Sequence, residues 1–354
     1  MYLSVLLLHC RYGLHLSKEQ VAELVAPHPD TLELVNSWLE HHGVPSSSVS
    51  TTHGGSWLTL TGIPVSQAND LLGASYRVYQ HAETKDCILR TVGYALPAVL
   101  HGHVQTVAPT TYFGSPHTLR QTPRKHSGEA AAALAKSASG ELVKERSKPI
   151  IPVMPSDLRW LYNTLGYVPA AADKNMLGIA GFFGHYPRQE DLASFMEEHR
   201  FDVEGATFTL VRIGGGNVRG EPSDEASANI QYTEAIAFPT RQFFYSTSGG
   251  TENYLQWFGY MTSLPRVPQT ITTSYGGEEQ DFAEDYAIEL CRLFMQLGVR
   301  GASVLVASGD HGVGLGNCIV NDGSGRVQFL PMFPASCTCD VFFSTCEQYT
   351  NAGI

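Results

Sequence analysis

Five strand-like apolar runs that alternate with five helical stretches constrain the fold of residues 155–308 more than any other feature of this sequence. The runs lie at 176–183, 207–213, 242–246, 269–274 and 302–308. The helical stretches lie at 158–165, 189–199, 223–237, 253–262 and 281–297. Such alternation predicts an α/β unit in which a mostly parallel sheet carries helices on both faces.

The last of these runs ends in Ser308-Gly309-Asp310. Residues 302–307 are almost continuously apolar, which is typical of a strand buried on both faces of a parallel sheet. Functional groups often lie just past the carboxyl ends of such strands, so Asp310 is a candidate functional carboxylate. The alternative is a plain turn, because Asp and Gly are favoured in turns.

The first 114 residues follow a different pattern, which predicts a small α+β domain. Residues 17–42 carry two helical signals, and a hairpin-like signal at 48–61, a helix at 65–72 and strands at 76–81 and 87–91 follow. Residues 115–150 are dominated by Ser, Pro, Ala, Lys and Arg. That composition predicts a flexible linker whose basic sites are open to proteolysis.

Charge and hydropathy exclude several classes of partner. The net charge of −11 provides no basic face for a nucleic acid. Residues 1–10 are apolar but too short to span a bilayer, they lack the features of a signal peptide, and no other run is long enough to cross a membrane. The glycines at 214–216 and 312–316 lack the spacing of a dinucleotide-binding fingerprint.

Two pairs of residues are candidates for chemistry. Glu225 and Asn229 are four apart in a predicted helix and so share one face, although an exposed helix face is the ordinary alternative. His101 and His103 would share one face of a strand, as a metal-binding pair could. No third ligand lies near them in sequence, which favours ordinary polar side chains.

Four motifs in matching order resemble the sedolisin family, the serine-carboxyl peptidases that include tripeptidyl-peptidases. Glu-Ala-Ser-Ala-Asn-Ile-Gln-Tyr at 225–232 is similar to that family's Glu-Ala-x-Leu-Asp-x-Gln-Tyr helix. Residues 12–17 and 109–114 resemble the entry and exit of its activation prodomain. The other motifs are Pro-Gln-Thr-Ile-Thr-Thr-Ser-Tyr-Gly at 268–276, Ser-Gly-Asp-His-Gly at 308–312 and Phe-Leu-Pro-Met-Phe-Pro-Ala-Ser-Cys at 329–337.

The resemblance implies a subtilisin-like fold and a Ser-Glu-Asp triad that hydrolyses peptides in acidic solution. Matched onto this chain, Glu225 takes the position of the general base, Asn229 that of the orienting aspartate, and Asp310 that of the oxyanion stabiliser. Two coupled carboxylates can accept a proton at acidic pH, where a histidine base is already charged. The family also implies secretion, peptide or protein substrates, contact between prodomain and catalytic domain, and Ca²⁺.

Three departures from the family predict that the polypeptide as written is inactive. Asn229 is an amide, which cannot share a proton with Glu225. The family's nucleophilic serine lies in a Gly-Thr-Ser motif far beyond the Ser-Gly-Asp turn, and neither that motif nor the family's C-terminal calcium site follows Asp310 here. The likeness also starts abruptly at Arg11 and stops abruptly after Cys337, so the chain looks truncated at both ends.

The expected function is therefore that of a serine-type peptidase precursor, endopeptidase or tripeptidyl-peptidase, without its nucleophile. The alternative is a non-catalytic pseudo-peptidase, or a prodomain that inhibits or helps to fold a full-length relative. The resemblance makes 1–114 the prodomain, 115–150 the linker, 151–337 the N-terminal part of the peptidase domain and 338–354 an unrelated tail. Seven cysteines leave at least one unpaired, and Cys318 with Cys337 is the candidate disulfide.

Overall fold

The computed structural model describes residues 13–52, 55–80, 82, 85, 87–113, 153–214, 222–247, 253–309, 312–337 and 342–344. These residues form a first region, 13–113, and a second region, which comprises the described residues from 153 onwards. The predicted linker at 115–150 lies outside the described residues.

The first region combines three helices with two antiparallel strand pairs. The elements are α1 (Lys18–Leu24), α2 (Pro29–His41), β1 (Val49–Thr51), β2 (Leu58–Leu60), α3 (Val65–Leu72), β3 (Arg77–Gln80) and β4 (Cys87–Arg90). A capping box begins α1: the hydroxyl of Ser17 accepts the N–H of Gln20, and the Gln20 side chain accepts the N–H of Ser17. Strand β1 pairs with β2, and β3 pairs with β4.

A parallel sheet forms the centre of the second region, as the alternating pattern predicted. The strands, with two short ones (β9 and β11) outside this sheet, are β5 (Met176–Gly181), β6 (Phe208–Ile213), β7 (Arg241–Thr247), β8 (Thr270–Thr273), β9 (Gly277–Glu278), β10 (Ser303–Ala307), β11 (Met332–Phe333) and β12 (Phe342–Ser344). The strand order is β12, β10, β8, β5, β7 and β6, and every neighbouring pair is parallel. The edge strand β12 lies within the predicted unrelated tail, with Leu305 opposite Phe342.

Helices cover both faces of this sheet, which confirms the predicted arrangement. They are α4 (Pro155–Leu161), α5 (Gln189–His199), α6 (Asp224–Ala237), α7 (Asn253–Ser263) and α8 (Glu284–Val299). Successive strand residues point to opposite faces, so Ile179 of β5 packs on the α6 side while Ala180 joins the core beneath α7 and α8. The first predicted helix was placed too late: α4 ends at Leu161, and Asn163 has a left-handed φ of 55° that no helix can continue.

A disulfide joins α8 to the segment after β11, and it corrects the predicted pairing. Cys337 bonds Cys291, with the two Cα atoms 5.5 Å apart. Cys318, the predicted partner of Cys337, is a free cysteine, since Cys337 is already bonded to Cys291; its backbone has a left-handed φ of 55°. Its thiol lies 3.4 Å from the carbonyl oxygen of Val313, inside its own turn.

A close backbone approach holds two of the sequence motifs together. Strand β9 pairs antiparallel with β11, and Gly276 lies directly before β9. A Cβ atom on Gly276 would lie 2.6 Å from the carbonyl oxygen of Phe333, a distance that no side chain tolerates. The glycine of the Thr-Ser-Tyr-Gly motif is therefore required by the Met-Phe-Pro motif packed against it.

The two regions contact one another through aromatic stacking and backbone hydrogen bonds. The ring of Tyr112, at the end of the first region, stacks on Phe282 at 5.1 Å and on Tyr286 at 6.2 Å between ring centroids. The N–H of Leu16 donates to the carbonyl oxygen of Val299 at 2.8 Å. Both ends of the first region are thus attached to α8 or the turn that precedes it.

Candidate functional site

The carboxyl ends of neighbouring parallel strands meet at one edge of the sheet. The chain leaves β5 through Phe183 and Gly184, β8 through Ser274, and β10 through Ser308 and Gly309. Ligands of open α/β sheets bind outside this edge. The Thr-Ser-Tyr-Gly and Ser-Gly-Asp motifs both follow strands that end here, so segments distant in sequence converge on one place.

Helix α6 begins at the same edge and presents Glu225 and Asn229 towards it. The N-cap hydroxyl of Ser223 accepts the N–H of Ala226 at 3.1 Å, which fixes the start of the helix. Ala226 and Ile230 are fully buried against the sheet, and their neighbours Glu225 and Asn229 are half-buried beside them. The helix therefore packs on the sheet through Ala226 and Ile230, and Glu225 and Asn229 lie on the adjoining face of the helix.

A chain of hydrogen bonds joins this pair to the sheet. Nδ2 of Asn229 donates to Oε1 of Glu225 at 3.1 Å. The hydroxyl of Ser274 donates to Oδ1 of Asn229 at 3.0 Å. The prediction that Glu225 and Asn229 share one face is confirmed, and Ser274 is a third member that sequence analysis missed.

Glu225 is placed as a hydrogen-bond acceptor at the start of a helix. Glu225 lies in the first turn of α6, where the helix dipole stabilises negative charge. An amide N–H adds a hydrogen bond to the charged form. A carboxylate held in this way can accept a proton from a nearby hydroxyl, but Asn229 cannot take up that proton in turn.

A histidine that sequence analysis missed also lies at this edge. Nδ1 of His185 is 2.8 Å from the hydroxyl oxygen of Tyr275, which precedes Gly276. The hydroxyl of Ser246 donates to the carbonyl oxygen of His185 at 2.7 Å. No local sequence signal marked His185, which follows a turn where Phe183 has a left-handed φ of 62°, an uncommon conformation for a non-glycine residue.

Asp310, the predicted oxyanion stabiliser, lies outside the described residues, as does His311. The described chain reaches Gly309, whose φ is 95°, directly after the last strand residues. Asp310 therefore remains a prediction from the Ser-Gly-Asp motif.

A second carboxylate of α6 has a very different environment. Glu234 is only 2% exposed, and its Oε2 atom has no hydrogen-bond partner among the described residues. Burial raises the pKa of Glu234 from 4.5 to about 7, and a hydrogen bond with the backbone of Thr207 opposes the rise only weakly. The side chain is thus a neutral carboxylic acid wherever the solution is acidic.

The predicted strand carrying His101 and His103 is wrong. Both residues follow a short 3-10 helix, Ala98–Leu100, in a turn. His103 bonds the hydroxyl of Thr31 at 2.8 Å, and His101 bonds the carbonyl oxygen of Leu96 at 3.0 Å. Each imidazole therefore has its own structural partner.

Two findings concern only the part of the chain that the structure describes. Within it, no three His, Cys, Asp or Glu side chains are grouped so that they could hold a metal ion. The helices of that part include none with the length and apolar character needed to cross a membrane.

Comparisons with known proteins identify relatives of this chain. The Pro-kumamolisin activation domain matches residues 7–113. The probable tripeptidyl-peptidase SED3 of Arthroderma benhamiae is 34% identical over 353 residues, covering 93% of this chain and 57% of the relative. The tripeptidyl-peptidase SED2 of Arthroderma otae is 32% identical over 348 residues, covering 92% of this chain and 57% of the relative.

This chain thus spans little more than half the length of the curated relatives it matches. Among solved structures, it is similar to Pseudomonas sedolisin, a serine-carboxyl proteinase complexed with two molecules of pseudo-iodotyrostatin. That similarity has a TM-score of 0.40 and 19% sequence identity, and it covers 54% of this chain and 52% of the other.

Proposed function

Because this chain belongs to the sedolisin family of serine-carboxyl peptidases, we propose that its second region carries the general base of a peptidase that works in acidic solution. The observation that supports the proposal is the contact between Glu225 and Asn229, the positions of the family's catalytic glutamate and its orienting acid. The Glu225 carboxylate accepts the proton of a serine hydroxyl as that oxygen attacks the peptide carbonyl. Glu225 then returns the proton to the leaving amine.

Asp310 has the complementary role in this proposal. A protonated aspartic acid donates a hydrogen bond to the oxyanion that develops in the transition state, which an ionised carboxylate cannot do. Acidic solution favours the protonated form and so supports this step. The polypeptide of residues 1–354 contains no Gly-Thr-Ser after Asp310, so we expect that polypeptide by itself not to hydrolyse peptides.

Asn229 limits the proposed reaction. The family's aspartate can share a proton with the glutamate, whereas the amide of Asn229 only donates a hydrogen bond. In a serine protease of another fold, replacing the orienting acid by its amide lowers kcat by about 10⁴-fold. The proposed peptidase is therefore slow compared with a relative that carries aspartate at this position.

The remaining features of the proposal follow the relatives. We propose a subtilisin-like arrangement of the second region, an α+β activation prodomain in the first, and an extracellular site of action on peptides or proteins. The relatives' names favour release of tripeptides from free N-termini over internal cleavage. The Ca²⁺ that the family implies enters no step of this reaction, and the described ranges offer no group of ligands to hold it.

The test begins with the full-length transcript, sequenced across the codon of Cys337, and its product expressed and purified. At about pH 4, the product should release a fluorogenic group placed after the third residue of a peptide with a free N-terminus. An N-acylated copy of the peptide separates tripeptidyl-peptidase from endopeptidase activity. The polypeptide of residues 1–354 serves as the negative control. Inhibitor-sensitive turnover by that polypeptide would contradict its expected inactivity.

A second candidate is a non-catalytic role, which the contact between the two regions favours. The first region attaches to the second through the stacking of Tyr112 on Phe282 and Tyr286, a surface that a relative's catalytic domain could also offer. In this role, a polypeptide of residues 1–114, in which no second region covers Tyr112, slows an active relative, and Tyr112→Ala abolishes the effect. Phe113→Ala is the matched control, because that ring packs edge-on against Tyr79 within the first region. No inhibition by the parent polypeptide would exclude the role.

A further inference from the structure

Ser274 lies directly after β8, in the half-buried position where the sheet faces the start of α6. Its hydroxyl reaches Oδ1 of Asn229 at 3.0 Å, and the other end of the same amide reaches Glu225 at 3.1 Å. Asn229 is therefore held at both ends, by the sheet on one side and by the carboxylate on the other.

The two ends of an amide are chemically different, and this network satisfies both. The NH₂ group only donates hydrogen bonds, whereas the carbonyl oxygen only accepts them. An ionised Glu225 only accepts, so the NH₂ group must face it. The carbonyl oxygen then needs a donor, and the Ser274 hydroxyl supplies one.

The backbone of this turn of α6 is fixed separately from its side chains. The hydroxyl of Thr233 donates to the carbonyl oxygen of Asn229 at 2.6 Å and is 2.7 Å from Oε1 of Gln242 on β7. The helix is thus anchored without Ser274. What Ser274 adds is the orientation of one side chain.

We propose that Ser274 is a positioning residue for Glu225: its hydroxyl holds the Asn229 amide so that the NH₂ group stays directed at the carboxylate. This role rests on the proposed function of Glu225. Because Ser274 belongs to the segment that leads into Tyr275 and Gly276, the hydrogen bond also ties the base to the carboxyl edge of the sheet. Loss of the hydroxyl leaves the amide oxygen without this donor and frees the side chain to rotate.

The test uses the 354-residue polypeptide and needs no turnover. Asparagine side chains labelled with ¹⁵N are observed by NMR, and the NH₂ signals of Asn229 are assigned by their loss in Asn229→Asp. In Ser274→Ala, exchange of these NH₂ protons with solvent should become about fivefold faster, the change expected for one net hydrogen bond. In Ser274→Thr, which keeps the hydroxyl, exchange should stay close to that of the parent.

The controls separate positioning from a general loss of structure. Ser194→Ala removes a hydroxyl on α5 that bonds only the carbonyl oxygen of Glu190 in its own helix, and it should leave the Asn229 signals unchanged. Unchanged exchange in Ser274→Ala, or equally fast exchange in a folded Ser274→Thr, would overturn the proposal. If instead the NMR result holds and the full-length product is inactive, the proposed function fails while the positioning contact stands.

Discussion

At the N-terminal end of α6, Glu225 is half-buried and accepts a hydrogen bond from Asn229, whereas further along the helix Glu234 is 2% exposed with one oxygen unpartnered. Both are glutamates on one helix. The first is next to the edge of the sheet where strands end, and the second is buried near the backbone of Thr207. The helix therefore carries one carboxylate that accepts a hydrogen bond at the N-terminal end and one that burial favours in its neutral form.

The difference shows what each environment can do. A helix N-terminus and an amide donor stabilise the charge that a general base needs. A buried site favours the protonated acid, and so makes the folded state most stable in acidic solution. Low pH would therefore favour both the proposed reaction and the stability of the folded protein, for two separate physical reasons.

The largest expected effect is at the N-terminal end. Glu225→Gln in the product of the full-length transcript should lower kcat by about 10²- to 10⁴-fold, because the amide cannot accept the serine proton. The unfolding midpoint should change little, since the side chain is half-buried and the helix keeps its cap. Glu190→Gln, on the exposed start of α5, is the control and should retain full activity. Full activity in Glu225→Gln would remove Glu225 from the mechanism.

The next effect is at the buried end, where Glu234→Gln should remove a pH dependence of stability. Burial raises the pKa of Glu234 from 4.5 to about 7, so the folded protein keeps a proton that the unfolded chain releases. Stability is therefore full below about pH 4.5 and is lost as the pH rises towards 7, by about 3 kcal/mol in total. The variant should match the parent at about pH 4 and exceed its stability by about 2 to 3 kcal/mol near pH 7.5.

Urea unfolding followed by tryptophan fluorescence at both pH values measures this effect. Among the charged groups on the packed elements, the guanidinium of Arg200 is paired with Asp202 and donates to the carbonyl oxygen of Ala235. Asp191 contributes only a backbone contact to Gln231. Parallel pH profiles for the parent and Glu234→Gln would show that Glu234 does not carry the dependence.

The smallest effect is that of the helix cap. Ser223→Ala removes the oxygen that accepts the N–H of Ala226 and should cost about 1 kcal/mol of stability. The loss should be equal at both pH values, because a hydroxyl does not titrate in this range. Ser227→Ala, one turn further along α6, is the control variant. A cost that varies with pH would mean that the cap acts through a titrating group.

Periodicity in the sequence predicted the strands, most of the helices and the shared face of Glu225 and Asn229. These depend on residues close together along the chain. The bond from Ser274 to Asn229 joins residues 45 apart, and it follows only from β8 ending beside α6. The predicted pairing of Cys318 with Cys337 was wrong for the same reason. Cys291 and Cys337 are 46 residues apart, and no rule of sequence spacing predicts that α8 packs against the segment after β11.

Glu234 shows a further limit. Its helix was predicted, but no local pattern indicates that this glutamate is only 2% exposed. His185 was missed because its contact with Tyr275 requires the ends of β5 and β8 to be neighbours. Local patterns therefore predicted the scaffold, and the contacts between strand ends had to be observed.

The most direct test of the account is the activity of Asn229→Asp in the product of the full-length transcript. Restoring an acid beside Glu225 should raise kcat at about pH 4 by at least about tenfold. In a serine protease of another fold, exchanging the orienting acid and its amide changes kcat by about 10⁴-fold. Asn175→Asp, at an exposed position before β5, is the control for added charge. An unchanged or lower kcat in Asn229→Asp, with normal folding, would contradict the claim that Glu225 and Asn229 form the acid–base pair.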